Sequence, residues 1–194
     1  MVMKAWIAGI SAMCWAAATW AAPAELGGVK IEPTAQVANA PALTLNGAGL
    51  RMAGNNKITV TQVYALKRFS SMEEFLSMPG PKRFVVTYLR EFPGGIPYKN
   101  LSRGIEDNLP KSSRSLLIPS LMRLSDALAS VKRIAPGDQM TVDWVPGVGS
   151  VVSMQGRQLL DPLPSPELFQ GYVAMWIGAA PLDAAVKGAL LGQD

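Results

Sequence analysis

Segments with strand character and segments with helix character are separated along this chain instead of alternating. Residues 57–66 (KITVTQVYAL) and 82–92 (KRFVVTYLREF) are rich in β-branched and aromatic residues, which predicts two long strands. Upstream of them, Pro33, Pro41 and Gly47 are expected to break the chain into short strand pieces.

A helical block and a hairpin follow these strands. Apolar residues recur at spacings of four and three, as on the buried face of a helix, at Leu117, Leu121, Leu124, Leu128 and Val131. Residues 138–156 then return to strand character on both sides of a Pro146-Gly147 turn. A parallel sheet would need strands and helices to alternate, so the sequence predicts an α+β domain with an antiparallel sheet covered by helices.

Three helices carry recognisable end signals. Ser70 or Ser71 is expected to cap a short helix that stops before Pro79. Ser165 and Pro166 open a second helix that ends at Gly178. The last helix is expected to begin at Pro181 and end at Gly192.

The first 21 residues have the features of a secretory signal peptide. Lys4 is followed by an alanine-rich apolar run and then by small residues, with cleavage expected after Ala21 or Ala24. The run is too short and too weakly flanked for a stop-transfer helix. We therefore expect a periplasmic or secreted protein with one domain, residues 25–194, and no membrane span after cleavage.

The remaining chain has little of the chemistry that most enzymes use. Its only cysteine, Cys14, lies in the predicted signal peptide, and the chain has no histidine. This composition excludes a disulfide, a cysteine nucleophile, a Ser-His triad and a His/Cys zinc site. No acidic cluster has the spacing of a calcium loop, so neither a metal nor a cofactor is expected.

The positive charge is scattered. Basic pairs at 67–68, 82–83 and 132–133 stand at the ends of predicted elements and are expected to be solvated. No basic stripe interleaved with aromatic residues is present, so the sequence does not predict nucleic-acid binding.

Four segments in this order resemble the chalcone isomerase superfamily, and in particular its bacterial secreted chalcone-isomerase-like branch. They are NGAGLR, KITVTQVYAL, PGPKRFVVTYLREF and MWIGAAPLDAAVKGALL, and the resemblance extends over residues 27–191. It implies an open-faced β-sandwich, in which a large antiparallel sheet carries a layer of helices and a ligand cleft lies between them. Within that family, plant enzymes cyclise chalcones to flavanones, plastid relatives bind fatty acids without catalysis, and many bacterial members have no assigned activity.

The resemblance also implies site residues. Arg51 matches the family arginine, which positions a substrate carbonyl in the enzymes and pairs with a carboxylate in the fatty-acid binders. Thr59 and Tyr98 match two further enzyme positions, and Tyr64 matches the partner tyrosine of the fatty-acid binders. Two polar enzyme positions fall on Ile105 and Met175, which makes the expected cleft more apolar. The full candidate set for ligand binding is Arg51, Thr59, Thr61, Tyr64, Tyr98, Ile105 and Met175.

Alternation along residues 57–66 separates two of these candidates. Thr59 and Thr61 share one face of the strand, and Tyr64 lies on the other face unless a bulge intervenes. We prefer the face of Thr59. Two other interpretations of Arg51 remain open. It would be solvated if it lies at the rim of a turn, and it would form an internal ion pair if Glu91 or Glu106 lies close to it.

Three functions remain open from the sequence. The preferred hypothesis is that the protein binds a small apolar or amphipathic ligand, and in its most specific form the ligand is a fatty acid. The alternative is an isomerase or lyase of chalcone isomerase type, in which Arg51, Thr59 and Tyr98 act on an enone. The third is an interaction protein with a filled, vestigial cleft.

Overall fold

A computed structural model describes residues 25–193 of the chain. The predicted signal peptide, residues 1–21, and both expected cleavage positions lie outside the described residues. Within the described range, the helices are all too short or too polar to cross a membrane.

Eleven strands and five helices form the described part of the chain. The strands are β1 Glu25–Leu26, β2 Val29–Lys30, β3 Thr34–Ala35, β4 Leu43–Ala53, β5 Asn56–Ala65, β6 Lys82–Tyr88, β7 Phe92–Pro93, β8 Arg133–Ile134, β9 Gln139–Val145, β10 Gly149–Met154 and β11 Arg157–Gln158. The helices are α1 Met72–Ser77, α2 Ile96–Asn108, α3 Lys111–Ala129, α4 Pro166–Ile177 and α5 Ala184–Leu191.

Seven strands form one antiparallel sheet in the order β11-β10-β9-β6-β5-β4-β3. The helical block from α1 to α3 interrupts the strand sequence, and α4 and α5 follow the last strand. This architecture confirms the predicted α+β class and the antiparallel sheet. The predicted hairpin is the β9–β10 pair, joined by a turn with Gly147 at positive φ.

The helices cover one face of the sheet and leave the other to the N-terminal segment. The main core contains Phe84 and Val142 of the sheet together with Leu117 of α3, Phe169 of α4 and Leu190 of α5. A smaller apolar cluster on the opposite face combines residues of β4 and β5 with Val29, Ile31 and Val37. A site between sheet and helices is therefore built on the first of these faces.

Gly47 does not end a strand, contrary to the sequence expectation. Strand β4 continues through it, with a bulge between Leu45 and Gly47. A Cβ atom at Gly47 would lie 2.1 Å from the carbonyl oxygen of Ala189, because α5 packs directly on this strand. Glycine is thus required here by the close approach of a helix, and Arg51 lies inside a strand instead of after a turn.

Asn46, the bulged residue, ties three segments together. Its side chain donates to the carbonyl oxygens of Phe69 (3.0 Å) and Leu190 (2.7 Å) and accepts from the backbone N–H of Phe69 (2.8 Å). These bonds fix α5 and the loop before α1 against β4.

The predicted helix ends are largely confirmed. Ser71 and Ser165 accept hydrogen bonds from backbone N–H groups as N-caps of α1 and α4, and Gly192 ends α5 with φ 66°. The last helix starts later than expected. Asp183 caps it by accepting from the N–H groups of Ala185 and Val186, so Pro181 lies in the preceding loop.

The second basic pair is not solvated, which corrects the sequence expectation. Lys82 is only 3% exposed and faces the helical layer from the first position of β6. Arg83 points to the opposite face and binds Asp143 through two hydrogen bonds of 2.6 Å each. The two residues that look alike in the sequence therefore have different partners on different faces.

Candidate functional site

Three residues form a row across neighbouring strands. Arg51 on β4 lies opposite Thr59 on β5, and Thr59 lies opposite Tyr88 on β6. The row is on the helix-covered face, because Gly49, two residues before Arg51 on the same face of β4, approaches Val186 of α5. Tyr88 was not foreseen as part of this row, since strand register is not readable from the sequence. Burial raises the pKa of its hydroxyl well above the usual range.

A cleft of about 270 Å³ opens beside this row, and Arg51 lines it. We call it the Arg51 cleft. Its other lining residues are Arg103, Gly104 and Asp107 of α2, Met175 of α4, and residues 180–182 of the loop before α5. The structure thus brings together Arg51 and Met175, two of the residues that the sequence singled out.

Close packing of α2 on α4 places the charged side chains of α2 at this cleft. A Cβ atom at Gly104 would lie 2.6 Å from the Cβ atom of Met175, so the two helices contact each other at this glycine. Arg103 precedes this contact point by one residue, and Asp107 follows it by three. Both therefore flank the contact and border the cleft.

The charges of the Arg51 cleft do not balance. Arg103 Nε lies 3.4 Å from Asp107 Oδ2, and both side chains are substantially exposed, so this pair adds little stability. Within residues 25–193, the side chain of Arg51 makes neither a hydrogen bond nor an ion pair. The cleft consequently holds two guanidinium groups and one carboxylate.

Neither of the acids that the sequence offered as internal partners reaches Arg51. Glu91 binds Arg133 through a contact of 2.9 Å. Glu106 is exposed on α2, and its backbone carbonyl oxygen accepts a hydrogen bond from Arg114. Arg51, a partly buried residue, therefore has no acidic partner within residues 25–193.

Two threonine hydroxyls lie buried behind Arg51. Thr59 is 5% exposed and Thr61 is fully buried, and neither Oγ1 atom has a hydrogen-bond partner among the described residues. A buried polar group without a partner costs about 1–3 kcal/mol. Neither threonine lines the cleft as it stands.

Tyr64 lies on the opposite face of the sheet, as alternation along β5 predicts. Its hydroxyl donates to Gln62 Oε1 (2.6 Å) and lies 3.0 Å from the carbonyl oxygen of Glu32. Burial raises the pKa of Tyr64 to about 12. Tyr64 therefore belongs to the smaller apolar cluster and not to the Arg51 cleft.

Tyr98 and Ile105 are also outside the lining of the Arg51 cleft. Tyr98 is partly buried in the first turn of α2, where it packs against the main core. Ile105 is 2% exposed and fills the contact between α2 and α4, where a Cβ atom at Gly171 would lie 2.7 Å from its Cγ1 atom. Of the three residues proposed as catalytic, only Arg51 borders the cleft.

A small apolar cavity of about 30 Å³ lies among α2, α3, α4 and the sheet, where Ser150 and Tyr172 supply its polar atoms. Such a volume suits about one water molecule.

Arg103 and Asp107 were missed by the sequence analysis. Their i,i+4 spacing is visible in the sequence, but it is typical of any exposed helix face. Only the contact between Gly104 and Met175 shows that this face borders a cleft. Residues 25–193 contain no group of three or more acidic side chains placed to hold a metal ion.

Comparisons with known proteins agree with this architecture. The family model described as chalcone isomerase-like matches residues 23–192. No functionally curated protein matches the sequence. Among solved structures, a fatty-acid binding protein of Arabidopsis thaliana superposes with a TM-score of 0.62 at 13% sequence identity, over 84% of this chain and 92% of the other. At that identity the likeness shows the fold, whereas the family match extends over all but the last of the described residues. The chain therefore belongs to the chalcone isomerase-like family.

Proposed function

We propose that this protein binds a small amphipathic acid, such as a fatty acid, without catalysing a reaction, and that Arg51 holds the carboxylate. One observation carries the proposal. Arg51 lines a cleft together with Met175, Pro181 and Leu182 and has no acidic partner within residues 25–193. A guanidinium that borders a cleft without a counterion favours an anionic ligand, and its planar fork fits a carboxylate through two parallel hydrogen bonds.

The size of the cleft limits the ligand. Ligand pockets commonly enclose about 300–1,000 Å³, and the Arg51 cleft, at about 270 Å³, is just below this range. Each buried CH₂ group contributes about 0.8 kcal/mol before the cost of association. Complete burial of a chain of about ten carbons would therefore gain about 8 kcal/mol, and partial burial in this cleft proportionally less.

The structural neighbour supports the same class of function. It is described as a fatty-acid binding protein and shares the fold over most of both chains.

Catalysis of chalcone type is the alternative, and the geometry favours it less. Cyclisation of an enone needs the substrate held in reacting geometry and its developing oxyanion stabilised by fixed donors. Thr59 and Tyr98 do not line the cleft with Arg51, and Ile105 and Met175 offer no donor. Each missing donor costs about 10²–10³ in rate. A filled, vestigial cleft is the third reading, and it requires that no acid binds at all.

Two measurements separate these readings. Native mass spectrometry of the purified protein is expected to show a bound acid, or saturable binding of added decanoate. Spectrophotometric assays with chalcones and simple enones are expected to show the rate of buffer alone. A turnover that Arg51→Ala abolishes would support the isomerase, and the absence of any saturable acid would support the vestigial cleft.

We further propose that the protein acts in the periplasm or is secreted. The support is the amino-terminal sequence, with Lys4 before an apolar run and alanines at positions 21, 22 and 24. Sequencing of the amino terminus of the native protein is expected to begin at residue 22 or 25. A native protein that begins at Met1 would contradict this proposal.

A further inference from the structure

A second and larger cleft lies at the other end of β6. It has a volume of about 710 Å³ and opens between α1, the start of α4 and the sheet. Lys82 and Tyr88 mark the two ends of β6, six residues apart, which corresponds to roughly 20 Å along a strand. The second cleft is therefore separate from the Arg51 cleft. We call it the Lys82 cleft.

Aromatic and aliphatic side chains form most of its wall. The rings of Trp144 and Phe169 lie with their centroids 5.2 Å apart, and Met72 and Leu76 of α1 border the same space. Flat or elongated apolar groups would remove these side chains from water on binding. The wall thus suits the apolar part of a ligand.

Lys82 supplies a buried charge at this cleft. Its Nζ atom lies 2.5 Å from the carbonyl oxygen of Met78, 3.4 Å from that of Gly80 and 5.7 Å from the centroid of the Phe75 ring. The side chain is 3% exposed, and burial lowers the pKa of its ammonium group. Two carbonyl oxygens orient the ammonium, but they leave its net charge unbalanced.

The acids near Lys82 do not neutralise it. Asp143 adjoins Trp144 in the sequence but lies on the opposite face of β9, where it binds Arg83. Glu73 borders the cleft, yet it is exposed and makes no ion pair with Lys82. Glu74 binds the backbone N–H of Ser70. Within residues 25–193, the ammonium of Lys82 has no carboxylate partner.

We propose that the Lys82 cleft binds an apolar carboxylate, with its aromatic or alkyl body against Trp144 and Phe169 and its carboxylate on Lys82. A buried ammonium whose only partners are neutral carbonyls gains most from an anion, because the Coulomb attraction is strong where water is excluded. An uncharged ligand of the same shape would cover the apolar wall but leave the ammonium group of Lys82 without a counterion. This inference does not depend on the proposed function of the Arg51 cleft.

A matched pair of ligands tests the proposal. 2-Naphthoate and 2-naphthamide have nearly the same shape, but only the first is an anion at neutral pH. Titrated into the purified protein, 2-naphthoate is expected to quench tryptophan fluorescence saturably, because Trp144 lines the cleft. Its dissociation constant is expected to be at least about tenfold lower than that of 2-naphthamide, which corresponds to about 1.4 kcal/mol.

Variants assign the binding to one cleft. Lys82→Met is expected to remove the preference for the anion, while Lys57→Met, a loss of the same charge at an exposed position outside both clefts, leaves it unchanged. If Lys82→Met fails to fold, Ser77→Glu serves instead: Ser77 borders the cleft on an exposed position of α1, and a new carboxylate there is expected to weaken 2-naphthoate binding by about tenfold.

Three results would overturn the proposal. They are equal affinities for the two ligands, a preference that survives both Lys82→Met and Ser77→Glu, and a preference that Arg51→Met abolishes. The last result would move the anion to the Arg51 cleft and leave the proposed function intact. Failure of decanoate to bind at Arg51, in turn, would leave the Lys82 cleft untouched.

Discussion

Arg51 on β4 lies directly opposite Thr59 on β5, on the sheet face that carries the helices. The pair joins a guanidinium without an acidic partner in residues 25–193 to a buried hydroxyl without any partner there. Residues directly opposite each other in an antiparallel pair have Cβ atoms about 5 Å apart, so the two side chains are neighbours, and Arg51 is the member of the pair that lines the cleft. The unpaired guanidinium of Arg51 is the basis of the proposed acid site.

Removing the carboxylate of the Arg51 cleft should strengthen acid binding. Asp107 borders the cleft beside Arg103, so Asp107→Asn removes a repulsion against a bound carboxylate. Because the side chain is largely exposed, we expect a modest gain, about 2- to 5-fold in the dissociation constant of decanoate at low salt.

The control for this prediction is Asp126→Asn, an equal change of charge at an exposed position of α3 outside the cleft. Titration calorimetry compares the two variants. If both variants bind decanoate more tightly by the same factor, the effect comes from the net charge of the protein and not from the cleft. If Asp107→Asn binds decanoate more weakly than the wild type, the ligand does not lie beside Asp107.

Gly47→Ala should destabilise the fold through α5. The added Cβ atom would lie 2.1 Å from the carbonyl oxygen of Ala189, so the helix has to move. Overpacking of this kind costs about 1–3 kcal/mol, measurable as a lower free energy of unfolding in urea.

Gly188→Ala is the matched control on the same helix. A Cβ atom at Gly188 would meet nothing within 4 Å, and alanine is favoured over glycine inside a helix by about 1 kcal/mol. We therefore expect this variant to be at least as stable as the wild type. Equal stability of Gly47→Ala and the wild type would contradict the packing of α5 on β4.

Local patterns predicted the strands and the face assignment, but not the approach of distant segments. Alternation along residues 57–66 separated Thr59 from Tyr64 correctly, and the serines at helix starts identified two caps. Gly47 was misread as a break because the helix that requires it is contributed by residues 184–191, far along the chain. A glycine in a turn and a glycine under a helix look the same in a sequence.

The charged residues of the two clefts show the same limit. Lys82 and Arg83 read as one solvated pair, yet alternation turns one towards the helices and the other towards Asp143. Arg103 and Asp107 read as an ordinary helix pair until the contact of Gly104 with Met175 places them beside Arg51. Such pairings depend on long-range packing, which no local spacing encodes.

Stability at alkaline pH should depend on Tyr64. Its pKa is raised to about 12 in the folded protein, above the ordinary value of 10.0, because burial disfavours the phenolate. Folding therefore favours the protonated form. The contribution of this protonated hydroxyl to the free energy of unfolding is constant below pH 10. It is lost between pH 10 and pH 12, at about 1.4 kcal/mol per pH unit.

Tyr64→Phe tests this dependence. The variant loses the hydrogen bond to Gln62, so its stability at neutral pH is expected to fall by about 1 kcal/mol. Between pH 10 and pH 12 its free energy of unfolding is also expected to fall less steeply with pH than that of the wild type, because one titrating group has been removed. Buried Tyr88 and Tyr172 still contribute to the remaining dependence on pH. An unchanged slope would show that Tyr64 is not buried as described.

Binding of decanoate and of decanol to the wild type and to Arg51→Met tests the central claim most directly. Arg51 makes no ion pair within the described residues, so the variant should fold normally. A charged hydrogen bond contributes about 1.5–3 kcal/mol, so the variant should bind decanoate about 10- to 100-fold more weakly and decanol as before. If the wild type binds decanoate no better than decanol, or if Arg51→Met leaves decanoate binding unchanged, the carboxylate does not lie on Arg51.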